Sequence, residues 1–200
     1  MTLLFDIGRV LLDFDFSPSI SRLFPPEVTD RERRMSLLLE HKDDFEAGKI
    51  SVDSFIPWAL KTLGSHATAD EFRHAWCHIF TPNEPMWDRA RQLAADGHRL
   101  ILFSNINGIH WPWVTQEFPE FSLFPEAVLS FRTGYIKPQA GIYLHAIDTY
   151  RLVPAETLYI DDMPANCTTG RDLGFRTWQY DLNDHAAFEH WLAQNLKSQI

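Results

Sequence analysis

Two short apolar runs far apart in the chain each end in acid: Leu3-Leu4-Phe5 stops at Asp6, and Leu158-Tyr159-Ile160 stops at Asp161-Asp162. Runs of this length read as strands buried on both faces. In an open parallel sheet, the residues just beyond the carboxyl ends of such strands face the binding crevice. Three carboxylates meeting there repel one another, so their convergence calls for a cation, most simply Mg²⁺. Two more strand ends carry groups of complementary chemistry: Arg99 to Phe103 stops at Ser104-Asn105, and Lys137-Pro138 follows Gly134-Tyr135-Ile136. Singly these are ordinary, since an Asp after a strand commonly caps a turn or helix. Their ordered conjunction is what points to a site.

The elements that must position them follow from periodicity and punctuation. After a first strand at about Leu3 to Phe5, the alternation around Asp13 and Asp15 predicts an extended segment that turns at Gly8 and reaches Phe16. Residues 17–82 read as helical, with no convincing strand. Ser17-Pro18 offers an N-cap with Pro at the first helical position, Thr29 to Glu32 has capping-box spacing, Ser51 opens a second helix, and a third spans about Ala69 to Ile79. Strand and helix then alternate. Asn83 caps a helix that Gly97 ends, strands follow near Arg99–Phe103, Ala127–Leu129, Thr157–Ile160 and Arg176–Gln179, and helices fill about 140–150, 165–173 and 184–196. This predicts an α/β fold, a doubly wound parallel sheet covered on both faces, with 1–16 and 83–200 forming the core and 17–82 a helical insertion.

In chain order, Asp6, Ser104-Asn105, Lys137-Pro138 and Asp161-Asp162 resemble the four motifs of the haloacid dehalogenase-like (HAD) hydrolase superfamily, and the likeness runs over essentially the whole chain. The segment 17–82 resembles that superfamily's small helical cap. Phe5-Asp6-Ile7-Gly8-Arg9-Val10, Ser104-Asn105 and Lys137-Pro138 are most similar to the bacterial alpha-D-glucose-1-phosphatase group. Asp161-Asp162 followed by Asn166 is similar to the N-terminal phosphatase domain of soluble epoxide hydrolase. In the insertion, Phe45-Glu46-Ala47-Gly48-Lys49-Ile50 resembles a segment of the glucose-1-phosphatase group, which puts Phe45 and Glu46 either near substrate or in cap packing.

The resemblance implies a Rossmann-like core and a Mg²⁺-dependent phosphatase in which Asp6 attacks phosphorus to give an aspartyl-phosphate that water cleaves. It implies metal at Asp6, the Gly8 main-chain carbonyl and Asp162, with Asp161 in support. Ser104, Asn105 and Lys137 would bind the phosphate, and Asp6, Ser104 and Lys137 would form the catalytic set. The implied partner is a small phosphorylated metabolite, with sugar phosphates such as glucose 1-phosphate in the class. One departure matters: most phosphatases of the superfamily carry a second Asp two residues after the nucleophile, as general acid and base, and here that position is Gly8. Such proton transfer contributes about 10²–10⁴-fold, so its loss slows attack on poorly activated esters unless Arg9, Asp13 or His110 substitutes. The same gap admits two alternatives. One is 2-haloacid dehalogenation, which needs no leaving-group proton but typically lacks the paired acids; the other is a catalytically degenerate binding protein, opposed by intact Asp6, Lys137 and Asp162.

Composition bounds the rest. Two hundred residues suffice for one α/β core with an insertion, and 45% apolar with 22% charged residues disfavours disorder. A formal charge of -9 argues against nucleic-acid binding, and Arg31, Arg33 and Arg34, interrupted by Glu32, read as a solvated helix face. No run reaches transmembrane length and no signal-peptide pattern opens the chain, so no membrane partner and a cytoplasmic location are expected. Cys77 and Cys167 lack metal-ligand spacing and read as buried thiols, while His74 and His78, at helical spacing, lack a third ligand. Trp111, Trp113, Phe118, Phe121 and Phe124 are expected to pack under their loop or against the cap rather than to form an interaction surface. A phospho-acceptor receiver domain has similar residue types but the reverse order of acids. Oligomeric state is left open.

Overall fold

The computed structural model describes residues 1–197. Its strands are β1 (Thr2–Phe5), β2 (Leu12–Phe14), β3 (Phe80–Pro82), β4 (Arg99–Ser104), β5 (Glu126–Leu129), β6 (Thr157–Asp161) and β7 (Arg176–Gln179). The helices before β3 are α1 (Phe16–Ile20), α2 (Arg31–Glu40), α3 (Lys42–Glu46), α4 (Val52–Leu63) and α5 (Ala69–Cys77). Those after it are α6 (Glu84–Ala95), α7 (His110–Glu117), α8 (Ser130–Thr133), α9 (Ala140–Tyr150), α10 (Pro164–Asp172) and α11 (His185–Lys197). Five strands form one parallel sheet in the order β5-β4-β1-β6-β7.

Alternate residues of the central strands feed two separate apolar layers, which is why these runs carry no polar alternation. Leu3, Phe5, Leu100, Leu102, Leu158 and Ile160 pack with Met86, Trp87, Phe188 and Leu192, under α6 and α11. Leu4, Ile101, Phe103 and Tyr159 point the other way, onto Ile142, Tyr143 and Ala146 of α9. The expected doubly wound sheet is therefore present. From β1 the chain builds outward to β4 and β5, then returns to β6 and β7 on the opposite side, so β1 is the topological switch point. Phe5 is in register with Leu102 and with Ile160, and Asp6 N–H donates to the Ile160 carbonyl (3.0 Å), which brings Asp6 level with Asp161 at the sheet's carboxyl end.

The extended segment after Gly8 is β2, but its partner lies 66 residues on: Leu12, Asp13 and Phe14 pair antiparallel with Pro82, Thr81 and Phe80 of β3. The helix expected over about Ala69 to Ile79, α5, thus stops at Cys77, and β3 is a strand that the helical reading of 17–82 missed. A three-residue strand ending in Pro carries too little periodicity to be seen. The ribbon ties the start and end of the helical segment together, and Asn83 locks it. Its side chain does not cap α6 as expected but donates to the Val10 carbonyl (2.7 Å) and the Tyr180 hydroxyl (2.9 Å).

Caps in the helical segment were partly legible. Ser51 accepts from Ser54 N–H at the start of α4, as its position predicts. The capping box forms at Thr68 and Glu71, ahead of α5, rather than at Thr29; α2 begins after Asp30 with no side-chain cap, and Asp15 rather than Ser17 caps α1. The segment has its own apolar cluster, in which Phe45 stacks on Phe55 at 3.9 Å between ring centroids and Trp76 is fully buried. Phe121 and Phe124 lie in the sheet's core with Trp111, Trp113 and Phe118 against it. No helix among the described residues is long and apolar enough to cross a membrane.

Candidate active site

β1 ends at Phe5, and the Asp6 carboxylate is fixed at once by its neighbours: Ile7 N–H donates to Oδ1 (2.7 Å), and the Lys137 ammonium sits 3.1 Å from the same oxygen. Oδ2 takes no part in either contact. Lys137 is buried, and its three N–H groups have three acceptors within reach: Asp6, Asp161 Oδ2 (2.5 Å) and the Phe103 carbonyl (2.8 Å). Burial pulls its pKa down, but the Asp161 and Asp6 charges outweigh that and hold it above the ordinary lysine value. Asn105 holds the Lys137 backbone rather than facing outward, its amide donating to the Lys137 carbonyl (3.0 Å) and accepting from the Lys137 N–H (2.8 Å). The Lys137–Pro138 peptide is cis.

The adjacent acids of β6 have different surroundings. Asp161 is fully buried and receives four donors: Lys137 and the Tyr159 hydroxyl (2.6 Å) on Oδ2, Met163 N–H (2.9 Å) and the Asn166 amide (2.9 Å) on Oδ1. The Asp162 carboxylate is hydrogen-bonded by no other side chain among the described residues. Carboxylate oxygens of Asp6, Asp161 and Asp162 lie within 4.8 Å of one another, the one such acidic cluster among the described residues. Burial, together with its acidic neighbours, pushes Asp6 up to about 7 against the pull of Lys137. Burial and the Asp161 charge push Asp162 up to about 6. The Ser104 hydroxyl, at the end of β4, favours the charged form of Asp6. The Gly8 carbonyl is left out of the backbone bonds of the turn, in which Arg9 N–H reaches Leu12 and Leu12 N–H reaches Ile7. All seven expected site residues except Asp161 therefore line one cavity of about 340 Å³, and Asp161 stands behind it. Such a set presents hard oxygen donors suited to a divalent cation beside hydroxyl and ammonium groups suited to an anion.

None of the proposed stand-ins for the missing acid is free. Arg9 pairs with Asp13 (2.5 Å) and donates to the Phe14 carbonyl (2.9 Å), and neither Arg9 nor Asp13 lines the cavity. His110 does line it, but one ring nitrogen faces the Trp76 carbonyl (2.9 Å) and the other the Asn107 amide (3.0 Å). Burial, aided by the Lys42 charge, pulls it down to about 4, so it is a neutral structural imidazole. Both thiols are buried and pushed up to about 12 by that burial, which leaves them unreactive. His74 and His78 stack at 3.7 Å, but His78 Nδ1 is engaged by the His74 carbonyl and no acid joins them in a metal cluster among the described residues. Sequence reasoning missed Tyr159, the side-chain role of Asn105, and Lys42, which with Glu46 lines the cavity from α3.

No family model matches the chain. A predicted HAD-like family hydrolase from Porphyromonas gingivalis superposes with a TM-score of 0.77 over 96% of this chain and 97% of that one, at 29% identity. The chain has the HAD-like hydrolase fold. A HAD family enzyme from Bacteroides thetaiotaomicron, solved in complex with magnesium and inorganic phosphate, superposes on this HAD-like chain with a TM-score of 0.78, covering 90% of it and 94% of that protein at 24% identity. Among characterised relatives, D-ribitol-5-phosphate phosphatase of the same bacterium is 27% identical over 189 residues, 88% of the HAD-like chain and 90% of that enzyme.

Proposed function

We propose that this protein is a Mg²⁺-dependent phosphatase of a small phosphorylated metabolite of the sugar- or polyol-phosphate kind, with Asp6 as nucleophile. The observation that carries the reading is the division of labour on Asp6: Ile7 N–H and Lys137 both hold Oδ1, which leaves Oδ2 as a positioned nucleophile in the cavity. The donor set suits Mg²⁺, because the Gly8 carbonyl and Asp162 offer oxygens that the protein does not otherwise use, beside the Asp6 carboxylate. Asp161 has no such oxygen to spare and serves by holding Lys137. Bound there, Mg²⁺ supplies neutralisation of the phosphoryl oxygens. The names of similar proteins support the phosphatase reading: one is a D-ribitol-5-phosphate phosphatase, and a structure of similar fold was solved with magnesium and inorganic phosphate.

In this reading Asp6 attacks phosphorus, the bond to the leaving oxygen breaks, and water then attacks the aspartyl-phosphate and releases phosphate. Ser104 and the Asn105 backbone amide donate to phosphoryl oxygens, and Lys137 offsets the charge that Asp6 and the phosphoryl group share. Position 8 offers no proton. A Cβ there would lie 3.1 Å from the Phe14 ring, so a side chain at this position would need that ring to give way slightly. A good leaving group, such as the hemiacetal of glucose 1-phosphate, suits a site built this way.

The same feature keeps 2-haloacid dehalogenation as the second reading, since halide leaves without a proton. The unpaired Asp162 weighs against it. A panel of phosphate esters and 2-haloacids, assayed with Mg²⁺ and with EDTA beside Asp6→Asn, separates the two. Phosphate release that needs Mg²⁺ and falls roughly 10³-fold or more in Asp6→Asn is expected; halide release that survives EDTA would overturn the phosphatase reading.

A further inference from the structure

The cavity has a floor, a wall and a roof of different chemistry. Asp6, Ser104 and Lys137 make the floor, and Phe14, Phe16 and Phe80 make an apolar wall. The roof comes from α3, where Lys42 Nζ pairs with Glu46 Oε2 at 2.8 Å. Phosphorus must sit over Asp6, so the part of the substrate that leaves projects away from the floor, toward α3. About 340 Å³ lies at the small end of ligand pockets, and holds a phosphate with a leaving group of a few carbons.

Glu46 is 7% exposed, and nothing in the stability of a small helix requires a carboxylate there: an ion pair taken out of water is commonly no better than an apolar pair of the same shape. The pair is also incompletely used. Lys42 spends one N–H on Glu46, with Asp43 at 4.0 Å too far for a hydrogen bond, and Glu46 Oε1 accepts nothing among the described residues. Two spare donors beside one spare acceptor match hydroxyl groups, which both accept and donate. They do not match a second anion, because the cavity's two lysines, Lys42 and Lys137, are each already paired with carboxylates.

We propose that Lys42 and Glu46 are the specificity-determining residues of this phosphatase, binding hydroxyls of the leaving group, and that the substrate is a phosphorylated polyol or sugar rather than an apolar or doubly anionic ester. The inference rests on the phosphatase reading and adds the roof's role to it. Glu46 Oε1 accepts from one hydroxyl, and Lys42 donates to the oxygen of another; the aromatic wall packs against C–H groups between them. No proton changes hands in this binding.

The test uses the whole protein with Mg²⁺ and four probes: a pentitol phosphate, a hexose phosphate, p-nitrophenyl phosphate, which has no hydroxyls, and a prenyl monophosphate. Glu46→Gln preserves shape, and Lys42→Met, at a partly exposed position, provides a second variant should the first fail to fold. The expected result is a wild type that prefers the hydroxylated esters to the prenyl one. In each variant the ratio of kcat/KM for hydroxylated ester to that for p-nitrophenyl phosphate should fall about 10- to 100-fold, mostly through KM, as for loss of a hydrogen bond to a charged group. A ratio that stays within about twofold of wild type in both variants overturns the inference, because a merely structural pair would lower both activities together. So does a wild type that prefers the prenyl ester. A protein that releases phosphate from none of the four loses the phosphatase reading and this inference with it.

Discussion

Four donors close on Asp161 while its neighbour Asp162 is left to the cavity, and this contrast gives opposite predictions for two conservative substitutions. Asp161→Asn removes the anion that holds Lys137 in a buried site, and breaking one side of a buried pair costs about 3–5 kcal/mol. Chemical denaturation should show that loss, together with a fall in phosphate release. Asp162→Asn relieves repulsion at the cavity and should leave stability near wild type while raising the Mg²⁺ concentration needed for activity; equal destabilisation by both would contradict the division of roles. His110 gives a pH prediction. Its folded-state pKa of about 4 lies below the ordinary 6.5, so its contribution to stability is complete above about 6.5 and is lost as pH falls toward 4. Denaturant melts from pH 7 to pH 4 should show that decline, and His110→Gln should flatten it. Asp6, Ser104 and the Asp161-Asp162 pair were legible because each ends an apolar run that forms a strand, whereas Lys137, expected at a strand end, lies in the loop beyond α8, eight residues after β5 ends at Leu129. Which oxygens are free was not, because that depends on Tyr159, Asn166 and Lys137, which approach from other strands and loops.

Among the elements, α3 is held over the sheet by a close approach at its end. Gly48 has φ +69°, and a Cβ there would lie 2.3 Å from the backbone carbonyl oxygen of Phe131, just after the start of α8. No side-chain adjustment relieves a contact with backbone, so Gly48→Ala must shift α3, and with it Lys42 and Glu46. Gly97 is the control: its φ is +80° but a Cβ there meets nothing within 4 Å, so Gly97→Ala incurs only the backbone strain of about 1 kcal/mol. Thermal melts should show Gly48→Ala to be the more destabilising, and it alone should raise KM; equal effects would mean that α3 is not seated through Phe131. Gly48 was readable as a turn between helices, but the partner that makes it necessary lies 83 residues away. The ribbon of β2 and β3 escaped for a related reason. Each strand is three residues long and is stabilised by pairing with the other, so neither carries a pattern of its own.

At the scale of the whole molecule, the doubly wound sheet was legible because its central strands are buried on both faces and leave unbroken apolar runs in the sequence. The chain carries a net charge of -9 yet is read as acting on anions, so positive charge has to be local. Lys137 is committed to two carboxylates, which leaves a bound cation to complete the balance. Mg²⁺ should therefore raise the melting temperature, by about 2.7 kcal/mol of added stability at a concentration 100 times its Kd, and EDTA should reverse it. An unchanged melt would argue against a cation at the acidic cluster. The most direct test of the account is to quench the protein during turnover of a phosphate ester with Mg²⁺ and locate the phosphoryl group by peptide mass spectrometry. One phosphoryl group is expected on the peptide that contains Asp6, absent in Asp6→Asn; steady phosphate release with no such adduct, or undiminished release by Asp6→Asn, would rule out Asp6 as the nucleophile.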